Sequence, residues 1–339
     1  MSLRPIILFG GVSEERMVSV ASAQNIAGQL PEAALWFVDR QGALHEVSPP
    51  ELAAHRDPFT TPFVPAHAPF AGNLEAALGL LPLTCVVIAL HGTEGEDGTI
   101  QDLFERHCIA FTGAGAAASR LAFDKIATKR AAAAAHLPVA QDLSVHAPRS
   151  PEGQAALRAF AAQHPRLVLK PTANGSSVGL FIVNTPADLE KALTALPDGT
   201  PYLAEAFIEG REITVGVRER QDGTLEAFPC SEVRVLEGRQ FDYEGKYLGK
   251  GVQELTPAPL DPEQTSRCQQ LALELHRLTG CRGYSRTDMI LTPQGPILLE
   301  INTLPGLSKA SFVPQQLHAM GETLRTFFLG QMELAKNRR

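Results

Sequence analysis

Short apolar runs alternate with helical patterns through the first third of the chain. Residues 5–10 (PIILFG) form a continuous apolar run, which predicts a strand buried on both faces. Residues 34–39 (ALWFVD) and 84–90 (TCVVIAL) predict two further strands. Helical patterns cover 18–30 and 99–108, the second with a capping-box-like start at Thr99-x-x-Asp102. Between them Pro49, Pro50, Pro58, Pro62, Pro65 and Pro69 predict an irregular surface excursion. The alternation predicts an α/β fold with a doubly wound parallel sheet. Further on, a helix is expected over 122–137, ending at Pro138, and strands over 166–171 and 178–183 with a Gly/Ser loop between. A helix over 185–196 precedes strands at 202–207 (YLAEAF) and 212–219 (EITVGVRE). A long polar loop at 234–256, a helix at 262–279 and a hairpin over 284–302 complete the pattern.

Composition narrows the class. The 339 residues are 44% apolar and 20% charged, a globular and not a disordered balance. Acidic residues outnumber basic ones, 37 to 30, so a general nucleic-acid binder is not expected. The longest apolar stretch, 76–90, is broken by Pro82 and falls short of the ~20 residues of a membrane-spanning helix. The apolar run in the first dozen residues is too short for a secretory signal. Five scattered cysteines form no CxxC pair and no zinc spacing, so buried free thiols and a cytoplasmic location are expected.

Neither GxxxxGK[ST] nor a GxGxxG after a strand occurs. Residues 170–179 (KPTANGSSVG) instead place a lysine at a strand end before a small-residue loop. Such a loop is either a phosphate cradle or an ordinary hairpin connection. The last hairpin carries more. A three-residue loop at Pro293-Gln294-Gly295, with Gly295 in the left-handed region, pairs Thr292 with Pro296. That register sets Asp288 opposite Glu300 and Arg286 opposite Asn302, with Met289, Leu291, Ile297, Leu299 and Ile301 on the apolar face. Two opposed carboxylates repel unless a hard cation lies between them or Arg286 compensates their charge.

These residues, taken with the rest of the chain, resemble the D-alanine–D-alanine ligases of the ATP-grasp superfamily. The landmarks are GGVSEERMVSVAS (10–22), ALHGTEGEDGTIQ (89–101), FTGAG and FDK (111–125), LKPTANGSSVG (169–179), EAFIEGREITV (205–215), FDYEGKYL (241–248), and GYSRTDMIL with LLEINTLPG (283–306). Their order and spacing make the match specific, and it is weakest over 41–82. The resemblance implies a three-domain ATP-grasp fold, divided at 1–113, 114–202 and 203–339, with 234–256 as a mobile lid. It implies that Lys125, Lys170 and Lys246 bind ATP phosphates, with Ser177 also on the nucleotide. Glu205 and Glu212 would hold the adenosine, Glu212 at the ribose. Asp288, Glu300 and Asn302 would carry two Mg²⁺ ions, with Mn²⁺ as an alternative. Arg286 and the Gly306 N–H would stabilise the oxyanion. Glu15 would anchor the ammonium of the first D-alanine and bond to Ser176, which meets Tyr247. His91 would lie near the first substrate, and Ser311 would bind the carboxylate of the second. A homodimer through the N-terminal domain is also implied. Met17, Phe123, Lys309 and Phe312 depart from the family pattern, the last two beside the acceptor site. The expected activity is ATP-dependent ligation of two D-alanines for peptidoglycan synthesis. The alternatives are a ligase with another amino-acid acceptor and a non-catalytic nucleotide-binding relative.

Overall fold

The computed structural model describes residues 5–80, 85–172, 179–235 and 252–336. The first sheet is built from β1 (Ile6–Gly10), β2 (Ala34–Val38), β3 (Leu44–Val47), β4 (Cys85–Ile88) and β5 (Ala110–Phe111), in the order β3-β2-β1-β4-β5. All pairs are parallel except β2 with β3, a hairpin that the sequence reading did not anticipate. Every residue of β1 is buried, as its unbroken apolar run requires. Helix α1 (Arg16–Gln29) packs on β1. The proline-rich stretch is not wholly irregular. It opens with α2 (Pro49–Ala54), capped reciprocally by Ser48 and Glu51, and α3 (Leu74–Ala77) follows it.

Helix α4 (Thr99–Arg106) does not start with the expected capping box. Gly98 is the N-cap residue, with φ 84°, and Asp97 Oδ1 accepts the Thr99 N–H. Asp102 instead pairs with Arg106 and Arg120. The single helix expected over 122–137 is two, α5 (Ala116–Phe123) and α6 (Lys125–Ala134). Asp124 separates them because its carboxylate accepts the N–H groups of Ile126 and Ala127, which starts a new helix.

The second sheet is antiparallel, in the order β6-β9-β7-β8. It comprises β6 (Asp142–Val145), β7 (Leu167–Pro171), β8 (Phe181–Val183) and β9 (Tyr202–Ala206), with α7 (Pro151–Gln163) and α8 (Pro186–Ala195). In β7, Leu167, Leu169 and Pro171 are buried, while Val168 and Lys170 alternate to the other face.

The third sheet runs β13-β12-β10-β14-β15, with β11 (Leu225–Ala227) on β10. Its strands are β10 (Arg211–Glu219), β12 (Ser231–Val235), β13 (Val252–Leu255), β14 (Tyr284–Thr292) and β15 (Gly295–Asn302). Helix α9 (Pro262–Leu278) covers the face bearing Ile213, Val215 and Met289. The ends of the loop expected at 234–256 are therefore strands, with Arg234 opposite Gln253. Two closing helices, α10 (Phe312–Ala319) and α11 (Leu324–Lys336), return to the first sheet. Leu317, Phe327 and Phe328 share one core with β1 and β4. Four cysteines are buried, Cys108 is exposed, and all are free. Among the described residues no helix is long and apolar enough to cross a membrane.

Candidate active site

A cavity of about 830 Å³ lies where the three sheets meet. Its first wall follows from topology. Strand order in the first sheet reverses between β1 and β4, and in open α/β sheets ligands bind beyond the carboxyl ends of strands at such a point. The segment after β1 delivers Glu15 there, and the segment after β4 delivers His91 and Glu96. Gly92 lies between them at φ 70°, where a Cβ would fall 2.8 Å from Glu15 Oε2 and 2.4 Å from Ser13 Oγ. Glu96 Oε2 accepts the Gly92 N–H at 3.1 Å. Burial and the neighbouring Glu15 push the Glu96 carboxyl well above its ordinary range.

His91 is buried and serves as a clamp. Its Nδ1 lies 2.9 Å from the Leu304 carbonyl, which can only accept, so Nδ1 carries the proton. Nε2 then accepts from the Ser22 hydroxyl at 3.0 Å, and Ser22 Oγ accepts the Leu307 N–H at 3.1 Å. Burial lowers the pKa of His91 and so favours the neutral ring, against an opposing pull from Glu15. Asn25 Nδ2 donates to the Leu307 carbonyl at 2.8 Å. Residues of α1 and the β4 end thus fix the loop that carries Gly306.

The second wall is a balanced charge cluster. Val168 on β7 is opposite Glu205 on β9, so Lys170 and Glu205 form a diagonal cross-strand pair at 2.5 Å. Lys129 meets the other Glu205 oxygen at 2.6 Å and Asp142 at 3.3 Å. Burial alone would raise Glu205, but Lys170 and Lys129 hold its carboxyl below the usual range. Lys125 and Lys129 are four apart on α6 and share one face. Lys125 Nζ reaches Glu300 Oε2 at 3.6 Å.

The third wall is the hairpin. Asp288 is opposite Glu300 and Arg286 opposite Asn302, the expected register. The turn is nevertheless different. Thr292 pairs with Gly295 across a two-residue loop, and the register shifts by one between Asp288 and Met289. The extra residue is Leu299, a β-bulge beside the site. The bulge exchanges parity, so Leu298 enters the core while Leu299 lines the cavity and Ile297 is half-buried. Arg286 grips Asp288 through Nε at 2.9 Å and Nη2 at 2.7 Å. Asn302 Nδ2 donates to the same carboxylate at 3.2 Å, as does the Thr214 hydroxyl. In this arrangement the arginine compensates Asp288, one of the two solutions the sequence allowed.

Ser311 stands at the N-cap of α10 without using its side chain as a cap. Its hydroxyl meets Ser308 Oγ at 2.8 Å, and a Cβ on Gly306 would sit 2.9 Å from it. Gln316 fixes the helix to β10. Its amide donates to the Thr214 carbonyl and Ser231 Oγ, both at 3.1 Å, and accepts the Gly216 N–H at 3.1 Å. Gly306, Ser311 and Phe312 line the cavity, as does Glu212 on β10. Lys309 is exposed and lies outside the cavity lining.

Two family models account for most of the chain: the D-ala D-ala ligase N-terminus over residues 4–114 and the D-ala D-ala ligase C-terminus over residues 133–328. A D-alanine–D-alanine ligase from Leptospira biflexa is 31% identical over 97% of this chain and 97% of its own length. One from Oleidesulfovibrio alaskensis is 37% identical, covering 94% of this chain and 92% of the relative. The chain belongs to the D-alanine–D-alanine ligase family. The solved D-alanine-D-alanine ligase of Coxiella burnetii superposes with a TM-score of 0.79 at 27% identity, over 99% of this chain and 94% of that one. The three-sheet architecture is that of the ATP-grasp ligases of this family.

Within the ligase framework, the cavity gathers all the sequence-derived candidates that fall among the described residues. Ser176, Ser177, Lys246 and Tyr247 lie outside the described residues, as does most of the expected lid, 236–251. Lys129, Glu96, Phe59 and Glu254 also belong to the site or its lining and were not anticipated. Lys129 had a signal, its i,i+4 spacing from Lys125. Glu96 had a weaker one, its place in the Gly-rich HGTEGEDG run. Phe59 comes from the proline-rich stretch, where no periodicity marks it.

Proposed function

We propose that this ligase-family chain joins two D-alanines at the expense of ATP, through an acyl phosphate, to supply the dipeptide for peptidoglycan precursors in the cytoplasm. The observation that carries the reading is the convergence of three differently charged walls on one cavity. Carboxylates lie at the β1/β4 end, lysines on α6 and β7, and an arginine with two carboxylates on the hairpin.

A carboxylate reacts with an amine only after its oxygen becomes a leaving group. Lys125 and Lys170 take the ATP phosphates, and Glu205 and Glu212 take the adenosine. Glu15 anchors the donor ammonium, which also favours ionisation of Glu96 beside it. Positioning and charge neutralisation then do most of the work of phosphoryl transfer. The second D-alanine lodges its carboxylate at Ser311, and its amine, as the free base, attacks the acyl carbon; the C–O bond to phosphate then breaks and inorganic phosphate leaves. Arg286, its plane set by the fork to Asp288, meets the oxyanion together with the Gly306 N–H. The opposed Asp288 and Glu300 with Asn302 suit a hard divalent cation, Mg²⁺ or Mn²⁺, which would neutralise phosphate charge when bound. We read the three sheets as three domains, 1–113, 114–202 and 203–339, and the active form as a homodimer.

The direct test is phosphate release from Mg²⁺-ATP with D-alanine, compared with L-alanine, D-serine and D-lactate, with products identified by mass. D-alanine-dependent release with a D-Ala-D-Ala product is the expected outcome. Release with a different acceptor only, or nucleotide binding without release, overturns the reading.

A further inference from the structure

Near Ser311 the cavity carries a carboxylate that has no part in the roles above. Glu254 on β13 is opposite Val233 on β12, which is opposite Glu212 on β10. It therefore lies on the same face of the sheet as Thr214 and Asp288. Its side chain is half-buried and lines the cavity with Arg286, Ser311 and Phe312.

Gln315 fixes it in place. Gln315 Nε2 donates to Glu254 Oε2 at 2.8 Å and to the Ala310 carbonyl at 2.7 Å. The carbonyl can only accept, which assigns the amide orientation. Oε1 accordingly accepts from Thr256 Oγ1 at 3.1 Å, and Thr256 meets Ser231 Oγ at 2.7 Å. Gln315 is one helical turn beyond Ser311, so one amide ties the carboxylate to the turn that presents the acceptor serine. Other acids on these walls have cations in reach: Lys129 and Lys170 at Glu205, Arg211 and Arg234 at Glu232, Arg286 at Asp288. Among the described residues no lysine or arginine closes an ion pair with Glu254. Burial raises its carboxyl, while the Gln315 N–H and the more distant Arg286 favour the charged form.

We propose that Glu254, positioned by Gln315, sets the charge selectivity for the second amino acid, passing neutral side chains and refusing anionic ones. The inference rests on the ligase reading above. An acceptor already brings one carboxylate, which Ser311 meets on that reading. A second carboxylate on its side chain would share a partly desolvated wall with Glu254, where Arg286 is already engaged by Asp288. Like charges placed together in such a wall reject a ligand without any change of shape.

D-Asparagine and D-aspartate differ by one charge at nearly constant shape. Each is tested as a competitor of the second D-alanine in D-Ala-D-Ala formation, at mildly alkaline pH, which favours the charged form of Glu254. The unaltered enzyme should bind D-asparagine about tenfold or more tighter than D-aspartate. Glu254→Gln should narrow that ratio to within about threefold, mainly by tightening D-aspartate. Gln315→Met, which keeps the charge and loses its tether, should give an intermediate ratio. A ratio near one in the unaltered enzyme overturns the proposal without any variant. So does an unchanged ratio in Glu254→Gln. If neither amino acid competes, size and not charge selects, and the proposal also falls. Absence of D-alanine-dependent turnover in the unaltered enzyme is a different result. It would remove the ligase reading, and this inference with it.

Discussion

Two glutamates face the same cavity from opposite ends and are handled in opposite ways. Glu205, on the second sheet, is surrounded by Lys129 and Lys170, and its carboxyl stays below the usual range despite deep burial. The carboxyl of Glu96, beyond the first sheet, is driven up by burial and by Glu15 and Glu300, against the Gly92 N–H and the more weakly acting Arg286. Charge is balanced within the protein at the first position and left in excess at the second. A balanced cluster holds its shape before any ligand arrives. A pair of crowded carboxylates gains most from a cation supplied from outside, which is what the ammonium of an amino acid provides. On the proposed reading, the nucleotide end is preorganised and the donor end is neutralised by its ligand.

The largest effect should come from breaking the balance. Glu205→Ala leaves Lys129 and Lys170 buried without their shared partner, and removal of one member of a buried ion cluster costs about 3–5 kcal/mol. Denaturant titration reads this directly. A loss under about 1 kcal/mol would mean the lysines find water or Asp142 instead. Next in size is Arg286→Lys, which keeps a charge but cannot form the two-pronged grip on Asp288. Loss of an oxyanion donor typically lowers kcat by about 10²–10³. Steady-state phosphate release checks it, and a loss confined to KM would argue that Arg286 only binds. Smaller again is Ser22→Ala. It leaves His91 Nε2 and the Leu307 N–H without their buried partner, at a cost of about 1–3 kcal/mol. A melt unchanged from the native protein would show that water replaces the hydroxyl.

The hairpin shows how far sequence could go in placing these groups. Counting parity outward from the turn gave Asp288 opposite Glu300, and that pairing is present. It was reached through a three-residue turn that the protein does not have. A two-residue turn and a bulge at Leu299 together add the same offset, so the site was legible while the apolar face was misassigned at Ile297 and Leu299. A bulge leaves no mark in a run of alternating residues, because Leu298 and Leu299 are both apolar. The buried strands of the first sheet were legible for the opposite reason: their unbroken apolar runs permit no other placement. The break at Asp124 had a signal, an N-cap residue before a lysine, which the helix-favouring residues around it outweighed. Lys129 and Glu96 had local signals, but their partners Glu205 and Glu15 are tertiary neighbours that no local pattern encodes.

The smallest predicted effect is the one that separates the two glutamates by sign. An unperturbed glutamate titrates near about 4.3. The folded state lowers Glu205, so its contribution to stability is present above that value and disappears as pH falls through the folded pKa. The folded state raises Glu96, so its contribution is full below that value and is lost as pH rises through the folded pKa. Unfolding free energies of the native protein relative to Glu96→Gln should therefore decline from acid toward neutral pH and then level off. The same difference against Glu205→Gln should climb over the acid range. Parallel slopes in the two series would show that the donor end is not overcrowded with negative charge, and the contrast would collapse. D-Alanine sharpens the test. Its ammonium favours the ionised form of Glu96, so its stabilising effect on the native protein should grow as pH rises. In Glu96→Gln that growth should be weaker, because the carboxyl that the ammonium would otherwise help to ionise is gone.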